Sequence, residues 1–453
     1  MKTINLKDNT SFDVPQKDIE SYLFLRNIAN HDIATLLREN GESLLVYPHS
    51  LVDCKDNMDN QTIVSLRETE KEGKCTRLEI QTSNVVGFIG IGGRNVSICS
   101  RFSGREEDCF LHYMLEAIYG GNMVNLPHGT SIEQTFDFLL YLFPKFLNEA
   151  LQQGIYREYQ RKEYNDVRVR GYIDINRQIR QNIPFNGRIA YRTREFSQDN
   201  AITELIRHTI EYIRTQKIGK SLLDKDAEIR ANVNQIIAAT PSYCRNDREK
   251  TIRNNQRLRN HPYFTRYNAL QLLCLRILRH EKVKYGNSDN EIYGILIDVS
   301  YLWEEYLAIL LAKHGFRHPQ NRSGIGRIYL AKGGKLLRYP DYYDKEPLGI
   351  IIDAKYKPTV EDRNDIHQLI AYMYRLRGKY GVFIHPADRS SCNEELTYSL
   401  SGYGDEDNAE IKIYPFRIPQ VSDYEEFKRQ IKESEAQLAF NCAKWRGMSE
   451  RVN

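Results

Sequence analysis

Asp341, Asp353 and Lys355 lie close together in the passage RYPDYYDKEPLGIIIDAKYKP. Asp353 and Lys355 are two apart, so on a strand both side chains face the same way. Asp341 follows Pro340 on the preceding strand candidate, and a hairpin through DKEP would bring it beside them. Two close carboxylates repel each other unless a cation sits between them. Mg²⁺ takes oxygen ligands, keeps several waters and is typically held by one or two carboxylates plus a substrate phosphate. So held, it polarises a phosphoryl oxygen and acidifies a bound water. Lys355 could orient that water or act as a fixed cation against the charge of phosphoryl transfer. The plainer reading is a surface salt bridge. The hairpin, the apolar run GIIID and the helix that follows weigh towards catalysis, because a rigid buried strand holds ligands better than a loop.

The elements that must position these residues are legible around them. YLWEEYLAILLAKHG reads as a helix closed by Gly315. RIYLA, KLLRYPDYY and LGIIIDAKYKP are three successive strand candidates, then EDRNDIHQLIAYMYRLRG is a helix and KYGVFIHP a strand. The order α-β-β-β-α-β describes a compact α/β unit with a small mixed sheet. Upstream, VVGFIGIGG and NVSICSRF form a hairpin around a Gly-Gly turn. Residues 131–151 read as a helix that Pro144 should kink or split. RIAYRTREFS is a strand, SQDNAITELIRHTIEYIRTQ a helix capped by Ser197 or Asp199, and a further helix runs from about Arg266 to Val283. The fold expected is mixed α+β: a β-rich N-terminal domain over 1–125, a mostly helical middle over 126–285 and a C-terminal α/β domain over 286–453.

Composition sets the class. At 453 residues with 41% hydrophobic and 27% charged content, the chain reads as a soluble globular protein of two or three domains. No apolar run approaches the roughly 20 residues of a membrane span, and the first residues lack a secretory pattern, so a cytoplasmic protein with no membrane partner is expected. The eight cysteines form no CxxC pair, so a zinc site has no local signature, and the expected reducing compartment argues against disulfides. The net charge of +4 says little. The stretch 244–266, with Arg245, Arg248, Lys250, Arg253, Arg257, Arg259 and Arg266, could neutralise nucleic-acid phosphates or could be a solvated helix face. Gly219-Lys220-Ser221 is no P-loop, because Arg214 stands where the earlier glycine belongs.

The passage 295–385, with PD at 340–341 and DAKYK at 353–357, resembles the PD-(D/E)xK nuclease superfamily, and within it the McrC family of modification-dependent (5-methylcytosine-type) restriction systems. Weaker likeness runs through VVGFIGIGGRNVSICSRF, VRVRGYIDINRQIRQN and FSQDNAITELIRHTI, so that about residues 85–385 are covered. The resemblance implies a Mg²⁺-dependent DNA endonuclease that serves antiphage defence. Asp341, Asp353 and the carbonyl of Ala354 would hold the metal, and Lys355 would serve catalysis. The aromatic-acid pair of LWEEY makes Glu304 a further acidic contributor, with Glu305 adjacent. Gln368 and Tyr372, four apart on one helix face, resemble the Q-x-x-x-Y element of RecB-like nucleases. It also implies partners: double-stranded DNA, and a McrB-like AAA+ GTPase that the N-terminal part would enter and stimulate. Two alternatives remain, a RecB-like repair nuclease and a non-catalytic activator of a ring NTPase. Residues 1–80 and the tail after 390 carry nothing diagnostic.

Overall fold

The computed structural model describes residues 3–40, 43–48, 50–51, 61–71, 74–103, 108–119, 132–216, 219–224, 226–258, 261–279, 292–319, 326–344, 349–357, 360, 363–388, 395–402, 409–421 and 423–450. Lys345, Glu346 and Pro347 of the DKEP reversal, Arg259, and the expected boundaries at 125 and 285 lie outside them. The fold is mixed α and β. The chain divides into two compact units, one formed by residues 1–138 with 281–453, the other by 139–280.

In the first unit, a five-stranded sheet runs in the order Thr3–Lys7, Arg94–Cys99, Val85–Ile91, Ile292–Asp298, Leu44–Tyr47. The hairpin read from the sequence is present: Ile91 pairs with Arg94 across Gly92 and Gly93, both at positive φ, as the tight primed turns require. The strand Ile292–Asp298 belongs to this N-terminal sheet, although the sequence places it with the C-terminal α/β segment. Gly294 permits the fit: at φ +143° a Cβ there would lie 2.2 Å from the Phe88 carbonyl oxygen. One core joins leucines, isoleucines and valines of both regions, including Leu44, Val46, Ile89 and Leu296.

The second sheet of this unit is six-stranded, in the order Phe316–Arg317, Tyr342–Asp344, Ile350–Ala354, Tyr380–Ala387, Glu410–Arg417, Leu396–Ser399. Ile350–Ala354 is its buried central strand, antiparallel to Tyr342–Asp344 and parallel to Tyr380–Ala387. Ile351 packs with Leu369, Tyr372 and Met373 of the helix Asn364–Leu376. From the helix Val299–Ala312, the Trp303 indole donates to the Ile384 carbonyl at 3.3 Å. The strand expected over KLLRYPDYY is interrupted. Lys335–Arg338 pairs only with Ile328–Ala331 in a separate two-stranded sheet, and Tyr342–Asp344 begins anew after Pro340, which has no N–H to give a ladder. The tail, unreadable from sequence, supplies the last two strands and the helix Tyr424–Glu450, with Trp445 buried.

A polar cluster ties the N-terminal sheet to the motif. Asn9 Nδ2 donates to the Tyr356 carbonyl at 3.2 Å, and the Arg101 guanidinium lies 4.2 Å from the Tyr356 ring centre. Asp8 accepts from the Arg101 backbone N–H. Asp108, buried, accepts from the amides of Ser100 and Leu111 at 2.8 and 3.2 Å. Burial pushes the Asp8 carboxyl up to about 6 and the Asp108 carboxyl up to about 7. A carboxyl raised on folding adds stability that is complete below about pH 4 and is lost as pH climbs through its folded value. Between pH 5 and 8 the parent should therefore lose, relative to Asp108→Asn, on the order of 1–3 kcal/mol of unfolding free energy. Denaturant melts of both proteins across that range check this; parallel curves would refute it.

The second unit holds the helices Ala201–Thr215, Ala227–Ala239 and Tyr267–Leu278 and a three-stranded sheet in the order Glu158–Asp166, Ile189–Ser197, Tyr172–Ile173. The cap of the first helix is Asn200, rather than Ser197 or Asp199: its side chain accepts from the amides of Ile202 and Thr203, and its own amide donates to the Thr203 hydroxyl. This reciprocal box satisfies orphan donors that neither expected residue reaches. The helix Ile132–Leu151 runs unbroken through Pro144, where burial of Leu139, Leu142, Phe143 and Leu147 outweighs the roughly 3 kcal/mol cost of an internal proline. Within the basic stretch, Arg248 and Arg266 have structural tasks, donating to the Leu278 carbonyl and to Gln152. Gly219 opens a short helix close behind another helix, which is not the setting of a P-loop. No disulfide joins the described cysteines. Among the described residues no helix is long and apolar enough to cross a membrane.

Candidate active site

The side chains singled out from sequence meet at the end of the central strand Ile350–Ala354. Asp353 shares a face with Ile351, towards the helix Asn364–Leu376, as period-two alternation demands. Lys355, just past the strand, returns to that face, with its Nζ 2.8 Å from Asp353 Oδ2. Asp341 sits in the bend before Tyr342–Asp344 rather than on a strand, and its Oδ2 accepts from the Ala354 amide at 2.9 Å. That bond puts Asp341 beside Asp353 without help from the ladder. The isoleucines at 350, 351 and 352 are fully buried, each worth about 2–3 kcal/mol, and together they offset the several kcal/mol needed to bury the Asp353 carboxylate.

The electrostatics are those of an acid pair short of positive charge. Burial and the Asp353 charge push the Asp341 carboxyl up to about 7, against the pull of Lys355 and the Ala354 amide. Burial raises Asp353 too, with Lys355 opposing. For Lys355, burial works against the ammonium, but Asp353 and Asp341 outweigh it and hold its pKa above the ordinary lysine value. Asp353 is 1% exposed, and its Oδ2 has no hydrogen bond of good geometry despite the nearby ammonium. Distance makes this contact an ion pair, and direction keeps it from being a hydrogen bond. A carboxylate oxygen so placed suits a divalent cation. Among the described residues no three His, Cys, Asp or Glu side chains form a metal cage. Two carboxylates nonetheless match what Mg²⁺ needs when waters and phosphate fill its other positions, so the residues present fit that ion.

Gln368 and Tyr372 are drawn in as their spacing suggested. Lys355 Nζ donates to Gln368 Oε1 at 3.3 Å, Gln368 Nε2 donates to the Tyr372 hydroxyl at 2.6 Å, and that hydroxyl donates to the Tyr339 carbonyl at 3.1 Å. The chain of bonds links the helix, the lysine and the turn carrying Asp341. Glu304 is near by its backbone: its carbonyl accepts from the Tyr342 hydroxyl. Its neighbour Glu305 lies 3.8 Å from His318 Nε2, and His318 Nδ1 lies 3.0 Å from the Asp341 carbonyl oxygen.

Two residues were missed. Asp365, buried, holds Lys357 at 3.1 Å through both oxygens and lies 3.7 Å from Lys355. It stands three residues before Gln368, so the helix face that flagged Gln368 could have flagged it. His318 had no such signal, since only the tertiary fold brings it to Asp341.

Compared with protein families, residues 80–386 match the McrBC 5-methylcytosine restriction system component. The chain belongs to the McrBC family. The match takes in both the N-terminal hairpin and the acidic site. No curated protein matches the chain. Among solved structures, the chain is similar at 17% identity to one described as a half-complex from a tetradecameric assembly of Thermococcus gammatolerans McrB AAA+ hexamers with bound McrC, over 95% of this chain and 99% of that one, with a TM-score of 0.45. It is also similar at 17% identity to one from the Thermococcus gammatolerans McrBC complex, over 69% of this chain and 88% of that one, with a TM-score of 0.31.

Proposed function

We propose that this McrBC-family chain is the nuclease subunit of its restriction system: a Mg²⁺-dependent endonuclease on double-stranded DNA, working with a GTP-hydrolysing AAA+ partner of the McrB kind. One observation carries the reading. Asp341, Asp353 and Lys355 converge at the end of one buried strand, two acids beside one ammonium. Asp341 and Asp353 would hold the ion, with the Ala354 carbonyl as a further oxygen donor and Glu304 contributing through a bound water. When bound, Mg²⁺ polarises the scissile phosphate and makes a coordinated water more acidic.

The protein's own groups do the rest. Lys355 stays an ammonium at neutral pH, because the two acids hold its pKa high. It therefore acts as a fixed positive charge against the phosphoryl oxygens and does not take a proton from water. Gln368, held by the Tyr372 hydroxyl, sets the direction of that ammonium. The partner is proposed from the family and from the lack of a P-loop in this chain, which leaves nucleotide hydrolysis to another polypeptide.

The test is cutting of 5-methylcytosine-containing duplex DNA by the chain with its AAA+ partner and GTP, with Mg²⁺ and with EDTA. Cutting only with the metal and both proteins is expected. Stimulation of GTP hydrolysis without any cut would replace this reading with that of a non-catalytic activator. Cutting from DNA ends without the partner would replace it with that of a repair nuclease.

A further inference from the structure

The two-stranded hairpin that leads into the acidic site is seated on one strand and open on the other. Ile328–Ala331 and Lys335–Arg338 pair across a turn that holds Gly333 and Gly334, both at positive φ. The first strand is fixed. Ile328 packs against the core that contains Ile351 and Leu369, and the Tyr329 carbonyl accepts from Arg375 Nε at 2.7 Å. The second strand buries nothing: all four of its residues are exposed, Leu336 at 59% and Leu337 at 40%. Leu336 also holds the left-handed conformation, at φ +58°. A leucine is disfavoured there, and strained positions of this kind gather at binding and catalytic sites. Packing within the chain explains neither the exposure nor the strain.

Charge points to the occupant. From Gly315 to Pro340 the chain holds six Lys and Arg and no Asp or Glu. Four of the six, Arg327, Lys332, Lys335 and Arg338, are exposed on the hairpin, and among the described residues none of these four pairs with a carboxylate. A ribbon carrying charge of one sign repels itself, and a polyanion relieves it. A two-stranded ribbon is also a shape that the major groove of B-DNA admits, where leucines meet base edges while cations reach phosphates.

The place in the chain agrees. Only Tyr339 and Pro340 separate the hairpin from Asp341. The Tyr372 hydroxyl, bonded to Gln368, donates to the Tyr339 carbonyl at 3.1 Å, so the same contacts that order the acidic site hold the root of the hairpin. Asp341 is six residues after Lys335, which puts their backbones at most about 20 Å apart. One turn of duplex DNA spans about 34 Å, so phosphates within a turn of the cut lie in reach.

We propose that the hairpin Ile328–Arg338 is a DNA contact of the nuclease, with Lys332, Lys335 and Arg338 on phosphates beside the cut and Leu336 against base edges. This rests on the nuclease reading above and names the surface that would bring duplex DNA to the acids.

The experiment measures affinity of the full-length chain for a duplex oligonucleotide by fluorescence anisotropy, in EDTA and at several salt concentrations. Cleavage with the AAA+ partner and binding of that partner are measured alongside. The variants are Lys332→Ala with Lys335→Ala, and Leu336→Asn, in which asparagine tolerates the left-handed backbone. All three residues are exposed, so unfolding midpoints should match the parent. The lysine pair should bind DNA at least tenfold more weakly. Its slope of log affinity against log salt should be shallower by about 1.8, two phosphates at about 0.9 each. Its cleavage should fall through KM and recover at high DNA concentration. Leu336→Asn should bind several-fold more weakly with the parental slope. Parental affinity and slope in the lysine pair would overturn the contact, and parental cleavage alongside would leave the nuclease standing. No duplex binding by the parent would overturn the contact, and no cutting by the parent with its partner would bring down the nuclease reading as well. Parental DNA affinity with weakened partner binding would make the hairpin a protein contact and overturn the inference.

Discussion

Lys355→Ala should lower metal-dependent DNA cleavage about 10²–10³-fold, the usual cost of removing one donor aimed at developing charge. The Lys355 Nζ lies 2.8 Å from Asp353 and 3.3 Å from Gln368 Oε1, so no other described group can take over its place at the strand end. Truncation also leaves the buried Asp353 without its nearest cation, which costs about 3–5 kcal/mol if the carboxylate stays charged. Loss of activity through unfolding must therefore be separated from loss through chemistry. Lys355→Arg does so, because it keeps the charge but puts a broad planar fork where a compact ammonium stood. Its melting should stay close to that of the parent while its cleavage falls at least tenfold. Initial rates on methylated plasmid, with partner binding measured alongside, read both effects. Parental rates from Lys355→Ala would remove the lysine from the mechanism.

The second large effect concerns stability. Asp341→Asn should make the metal-free protein more stable at pH 8, by on the order of 1–3 kcal/mol, while abolishing cleavage. Burial and the neighbouring Asp353 charge raise the Asp341 carboxyl to about 7, so at pH 8 the fold holds a carboxylate it disfavours. Asparagine removes the charge and keeps an oxygen to accept from the Ala354 amide. The penalty should vanish below about pH 4, where the parent carboxyl is protonated in both folded and unfolded chains. Saturating Mg²⁺ should stabilise the parent and leave the variant unmoved. Thermal melts in EDTA and in Mg²⁺ measure both; a variant less stable than the parent in EDTA at pH 8 contradicts the account. The acid pair that suits a cation is the pair that the metal-free fold disfavours.

Local periodicity reached the site well and the architecture less so. Asp353 with Lys355 follows from the two-residue repeat of a strand, and Gln368 with Tyr372 from the four-residue repeat of a helix. Asp341 was legible as a residue, though not as part of a bend, because Pro340 ends the upstream pairing before it. His318 was out of reach, since its contact with Asp341 spans a fold rather than a turn. The run EIYGILID falls within the expected C-terminal domain, yet it forms a strand of the N-terminal sheet. Its partners Leu44–Tyr47 and Val85–Ile91 lie some two hundred residues upstream, and pairing over such a span leaves no mark on local sequence. The cap at Asn200 was misplaced because several residues nearby could cap equally well, and only packing chooses among them.

That late strand sets the earliest moment at which the first sheet can close during synthesis. Residue 294 pairs with residue 44, so at roughly 5–20 residues per second the gap in the first sheet stays open for on the order of tens of seconds. Residues 139–280 complete a self-contained body during that interval. Until Ile292–Asp298 arrives, Val85–Ile91 offers a bare hydrogen-bonding edge, the kind of template on which nascent chains stick to one another.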